Sequence, residues 1–117
     1  MKYLITNRQY NLIKEEEEIL SFPFEFFNND WDLVLSSMKG RPFKIQGNLW
    51  LANSKVKSLG NLQSVGGNLD LYNSKIESLG NLESVGGNLT LMYTKIEDFG
   101  NLKYVGGYLD CHHTPLG

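Results

Sequence analysis

One tripeptide returns at a single spacing. Gly47-Asn48-Leu49 recurs as Gly67-Asn68-Leu69, as Gly87-Asn88-Leu89 and, altered, as Gly107-Tyr108-Leu109, each time 20 residues on and without insertion. A fixed period of this size marks supersecondary units that bury their apolar residues against neighbouring copies, because one such unit is too short to bury its own. The unit reads G-N-L-x-L-x-x-[ST]-K-[VI]-x-x-[LF]-G-N-L-x-x-V-G. Full copies occupy 47–66, 67–86 and 87–106, and a partial copy occupies 107–117. Residues 1–46 lack the pattern and are expected to form a separate N-terminal cap on a repeat domain spanning 47–117.

The apolar residues of the repeat fall in columns: Leu49/Leu69/Leu89/Leu109, Leu51/Leu71/Leu91/Cys111, Val56/Ile76/Ile96/Leu116, Leu59/Leu79/Phe99, Leu62/Leu82/Leu102 and Val65/Val85/Val105. The L-x-L alternation predicts a short strand with one buried face. Beyond it, apolar residues come every third position, which suits extended or 3₁₀-like turns around an inner core and not a long amphipathic helix. Eleven of the 12 glycines lie from Gly47 onward. They mark corners, where positive φ or close backbone approach is needed. The expected architecture is α+β: a short right-handed solenoid with one parallel strand per 20-residue coil, preceded by the helical cap.

The cap holds 8 of the 14 aromatic residues but a single glycine, Gly40. Asn7 suits a cap for a helix over about 8–20 that contains the run Glu15, Glu16, Glu17 and Glu18. Pro23 interrupts the pattern. A second helix is expected from Asn29 or Asp30 to Met38, with an acidic N-cap and a stop at Gly40.

The segment Gly-Asn-Leu-Asp-Leu-Tyr-Asn-Ser-Lys-Ile at 67–76 resembles the leucine-rich repeat core L-x-x-L-x-L-x-x-N-x-L, and most closely its short bacterial 20-residue form. The resemblance covers 47–117, about 60% of the chain. Glycine (Gly66, Gly86, Gly106) stands where that core has its first leucine. Ser54, Ser74, Thr94 and Thr114 stand where it has asparagine. Small phage and bacterial proteins that place such repeats behind a short helical segment are also similar. The resemblance implies a ligand-facing strand sheet whose outward columns are Asn48/Asn68/Asn88/Tyr108, Trp50/Asp70/Thr90/Asp110 and Ala52/Tyr72/Met92/His112. Successive members of a column stack about 4.8 Å apart. These columns vary between copies while the core columns do not. Trp50, Tyr72, Met92 and Tyr108 are of types common in interface cores. The expected partner-binding residues are therefore Trp50, Asp70, Tyr72, Thr90, Met92, Tyr108, Asp110 and His112.

Other chemistry finds little support. Asp110-Cys111-His112-His113 contains metal-ligating types, but neighbours on a strand face opposite ways, and Cys111 falls in a leucine column. Neither a metal site nor cysteine–histidine catalysis is expected from it, and no cofactor is implied. The lysine column Lys55/Lys75/Lys95 is followed by Glu77 and Glu97 and reads as a solvated face. The glutamate run reads the same way, or as a contact for a basic partner. A net charge of -2 and a pI near 5.6 give no basic patch for a nucleic acid. One cysteine excludes an internal disulfide framework and suits a reducing compartment. No stretch approaches the roughly 18 apolar residues that span a bilayer. The strand over 108–111 should be an open sheet edge, partly blunted by the tail 114–117, and a route to a homodimer or a self-assembling structural role. The expected function is a non-enzymatic protein–protein interaction module in the cytoplasm. Size and resemblance extend this to a stand-alone phage-encoded inhibitor of a host protein, complete at its start.

Overall fold

A computed structural model describes residues 19–117. The glutamate run and most of the helix expected over 8–20 lie outside the described residues. Its last expected residue, Leu20, opens a strand instead. The order is β1 (Leu20–Pro23), a 3₁₀ turn (Phe24–Phe27), α1 (Trp31–Met38), β2 (Phe43–Gln46), β3 (Leu49–Trp50), β4 (Leu62–Val65), β5 (Leu69–Asp70), β6 (Ser84–Val85), β7 (Leu89–Thr90), β8 (Tyr104–Val105) and β9 (Leu109–Asp110). The fold is α+β. The strands form two parallel sheets, ordered β1-β2-β4-β6-β8 and β3-β5-β7-β9.

The helix forms where its end signals lie. Asp30, in extended backbone, caps α1 by accepting from Leu33 N at 3.1 Å, satisfying one of the unpaired first-turn donors. Lys39 ends it in the left-handed region, one residue before the expected glycine, and Gly40 continues with φ of 79°. Trp31, Val34 and Met38 face the core.

Each 20-residue repeat supplies two strands, not the single strand expected. The first is the anticipated L-x pair, in register as Leu49↔Leu69↔Leu89↔Leu109. The second lies just before the glycine doublet, in register as Val65↔Val85↔Val105. Only two residues of it pair in most copies, so period-2 alternation has no length over which to show. The doublet lets this second line of chain come close. Gly86 N donates to Val65 O at 2.8 Å and Gly87 N to Gly67 O at 2.9 Å, and a Cβ on Gly86 would collide with the Gly66 carbonyl. Gly80 serves differently, at a φ of 55° that side chains disfavour.

The five-stranded sheet begins well before the first recognisable repeat. Phe22 pairs with Ile45, and Ile45 with Val65, so the valine column starts in β1. Between Phe43 and Lys44 the register slips: Phe43 pairs with Leu62, but Lys44 pairs with Ser64. Phe43 alone falls one residue short of the 20-residue period, which Lys44 and Ile45 keep. Phe43 stacks on Phe22 at 5.8 Å and touches Trp31 at 5.8 Å, while Phe24 meets Trp31 edge-on at 5.9 Å. Trp31 Nε1 donates to Ser58 O at 2.9 Å, tying α1 to the first repeat. These aromatics and the repeat leucines form one core, in which Leu49, Leu69, Leu71, Ile76, Leu79, Leu82, Leu89, Leu91 and Ile96 are fully buried.

Two polar columns hold consecutive repeats in register. Asn48 Oδ1 accepts from Asn68 N at 2.8 Å, Asn68 Oδ1 from Asn88 N at 2.7 Å, and Asn88 Oδ1 from Tyr108 N at 3.0 Å. Asn61, Asn81 and Asn101 pass side-chain bonds along a second line, at 2.6 and 3.3 Å, and Asn61 Nδ2 continues it to Gly40 O. The hydroxyl column acts within each turn. Ser54, Thr94 and Thr114 donate to the carbonyls of Leu51, Leu91 and Cys111 at 2.6–2.7 Å, whereas the buried Ser74 hydroxyl has no partner among the described residues.

Candidate binding surface

The outer face of the β3-β5-β7-β9 sheet carries most of the predicted residues. Trp50, Asp70, Thr90 and Asp110 pair directly across successive strands and form one continuous column. Trp50 is 55% exposed, and the other three are half-buried. The next column is held by the chain bending just past the strand. Asn53 N donates to Tyr72 O at 2.7 Å and Asn73 N to Met92 O at 2.9 Å. Ala52, Tyr72 and Met92 are half-buried there, and His112 is exposed.

The third expected column is not free for a ligand. Asn48, Asn68 and Asn88 spend their side-chain oxygens on the next repeat's amide, for the reason every unpaired amide needs a partner. Only Tyr108, which ends the line, projects a large side chain, 65% exposed.

The acidic members are locally engaged. Asp70 Oδ1 accepts from Tyr72 N at 3.0 Å, and Asp110 Oδ1 accepts from His112 N at 3.2 Å, the Asx pattern that short acidic side chains adopt at a bend. His112 Nδ1 lies 2.8 Å from the same Asp110 oxygen. The Asp110 carboxyl is held below the ordinary aspartate range, first by the His112 backbone N–H, then by the His112 ring and the nearby imidazoles.

Two features escaped the sequence reading. The first is the position after the second column. Asn53, Asn73, Tyr93 and His113 all take left-handed backbone, with φ of 56°, 53°, 59° and 58°. Asn73 bonds Asn53 at 3.0 Å. Tyr93 packs edge-on against Tyr72 at 5.6 Å and lies parallel to the His113 ring at 4.7 Å. An aromatic group thus extends from the predicted face over its rim. Asparagine at 53 and 73 was the available signal, since it tolerates this backbone better than other non-glycine residues. The second is an open cleft of roughly 620 Å³ between α1 and the first repeat. Asp30 and Asp32 line one wall, Lys55 and Lys57 the other, with Trp31, Leu35 and Leu51 between and Trp50 shared with the strand face.

Cys111 is half-buried and packs against the core from the last repeat. Among the described residues no three of His, Cys, Asp and Glu converge as metal ligands, and no helix is long and apolar enough to cross a membrane. Lys55, Lys75 and Lys95 are exposed on the turn beyond the strand face. No protein-family model, curated protein or solved structure matches the chain.

Proposed function

We propose that this chain is a non-enzymatic protein-binding module: a short leucine-rich-repeat-like solenoid whose partner meets the β3-β5-β7-β9 face. The observation that carries this reading is the in-register juxtaposition of Trp50, Asp70, Thr90 and Asp110 with Tyr72, Met92 and the Tyr93–His113 pair. Rigid aromatic side chains lose little conformational entropy on binding and bury large area, which makes them common anchors. Here they are displayed on parallel backbone, with carboxylates beside them to orient a polar partner. The resemblance of the repeats to short phage and bacterial ones extends the proposal to an inhibitor of a host protein acting in the host cytoplasm.

The test is affinity capture from a host lysate with the wild type and with Tyr72→Ala and Met92→Ala, each checked for folding by circular dichroism. Each substitution is expected to weaken recovery of the captured partner by about tenfold, roughly 1.4 kcal/mol. Undiminished capture by both folded variants overturns the strand-face assignment.

A further inference from the structure

The charges of the strand face are all of one sign. Its outward columns, with the left-handed position that follows them, are residues 48, 50, 52 and 53 and their copies 20, 40 and 60 positions on. These positions hold two formally charged side chains, Asp70 and Asp110, and no lysine or arginine. Large uncharged side chains surround them: Trp50, Tyr93 and Tyr108 are exposed, and Tyr72 and Met92 are half-buried.

The fold sets the spacing of the two carboxylates. Asp70 pairs with Thr90, and Thr90 with Asp110. The aspartates therefore stand two strands apart, roughly 10 Å, with a short side chain between them. Each commits one oxygen to its own turn. Asp70 Oδ1 accepts from Tyr72 N, and Asp110 Oδ1 accepts from His112 N and lies beside the His112 ring. Oδ2 takes no part in those bonds. The turns thus fix the direction of each carboxylate while using only one of its oxygens.

The borders restrict what can lie on this face. On one side the Asn48, Asn68 and Asn88 line is neutral and bonded along the stack. On the other, Lys55, Lys75 and Lys95 are exposed on the turn. A tract of cations laid across the face would meet those lysines as like charges. An anionic partner would meet Asp70 and Asp110 with no cation on the face to offset them. A single cation over Thr90 has a carboxylate on either side and apolar groups next to it. A guanidinium suits such a place better than an ammonium. It is planar, weakly hydrated, forks to carboxylate oxygens and stacks on ring faces.

We infer that the strand face receives an exposed arginine of the partner protein, flanked by uncharged residues, its guanidinium lying over Thr90 between Asp70 and Asp110 and against Tyr72 and Met92. The assignment rests on the strand face being the binding surface.

The probe is the blocked tripeptide acetyl-Gly-Arg-Gly-amide, titrated into the isotope-labelled full chain and followed by amide NMR, with the lysine and glutamate counterparts as controls. The arginine peptide is expected to shift the amides of Asp70, Tyr72, Thr90, Met92 and Asp110. The lysine peptide should do so more weakly, and the glutamate peptide not at all. Asp70→Asn and Asp110→Asn keep an oxygen for the turn amide and remove the charge. Each is expected to weaken the arginine peptide about threefold, and added salt should weaken it in the wild type. The proposal is overturned by an absence of shifts at these amides, by shifts confined to Glu15, Glu16, Glu17 and Glu18, or by an equal response to the lysine or glutamate peptide. Unchanged affinity in a folded Asp70→Asn, Asp110→Asn double variant overturns it as well. Capture by Tyr72→Ala and Met92→Ala keeps the two readings apart. Lost capture with a silent arginine titration leaves the strand face standing and removes the arginine, whereas undiminished capture removes both.

Discussion

At the scale of single residues, position within a column decides the role of a side chain more than its type does. Asp110 and Asp70 share a column and both accept from the amide two residues on, but Asp110 alone faces an imidazole, His112. Its lowered pKa means that the folded state favours the charged form. The accompanying stability is present above the ordinary aspartate range and is lost as pH falls through the lowered value. Because the backbone donor is the main cause, His112→Ala should leave Asp110 titrating below an ordinary aspartate, with only part of the shift removed. An NMR titration of the side-chain carboxyl checks this, and complete return to the ordinary range would assign the effect to the ring instead. The inward leucines and the outward Trp50, Asp70, Thr90 and Asp110 were legible in the sequence, since alternation on a strand is a property of the backbone alone. Tyr93 and His113 were not, because their approach to Tyr72 depends on a left-handed turn that a period-2 reading does not contain.

Secondary-structure elements were legible in proportion to their length and punctuation. α1 has an acidic cap, an apolar face and a glycine after it, and it lies within a residue of where those signals put it. Asp30→Ala should cost about 1 kcal/mol by leaving Leu33 N without its acceptor, measured as a shift of the urea midpoint at unchanged slope. Strands of two residues carry far less information. β6 and β8 are strands because glycine doublets bring neighbouring chains within bonding distance, and two residues are too few for alternation to announce them. β2 was hidden for another reason: Lys44 and Ile45 keep the 20-residue offset, but Gln46 stands where the later copies have the first glycine of the doublet.

Over the whole molecule, the aromatic segment before Gly47 and the repeats share one sheet and one core, so burial is graded along the strand order. The middle repeats are covered on both sides, and the last one on one side. Leu82→Ala, at a fully buried position, should destabilise by about 2–5 kcal/mol. Leu102→Ala, its partly exposed column mate, should cost clearly less, and paired chemical denaturation curves decide the order. Equal costs would mean that the difference in burial between the two positions does not set the order.

The sequence by itself determined the 20-residue spacing, the buried columns, the parallel pairing of equivalent residues and the position of α1. It could do so because units stacked at a constant offset turn periodicity directly into contact: a residue and its copy 20 positions on become neighbours. Only the tertiary structure decided that each repeat adds to two sheets, that the stack begins in β1, that the asparagine column is consumed by backbone amides and that Tyr93 and His113 join the exposed face. These depend on an offset between β1 and β2 that departs from the repeat length, on how near glycine lets two backbones come and on the dihedral angles of a turn, none of which leaves a periodic trace.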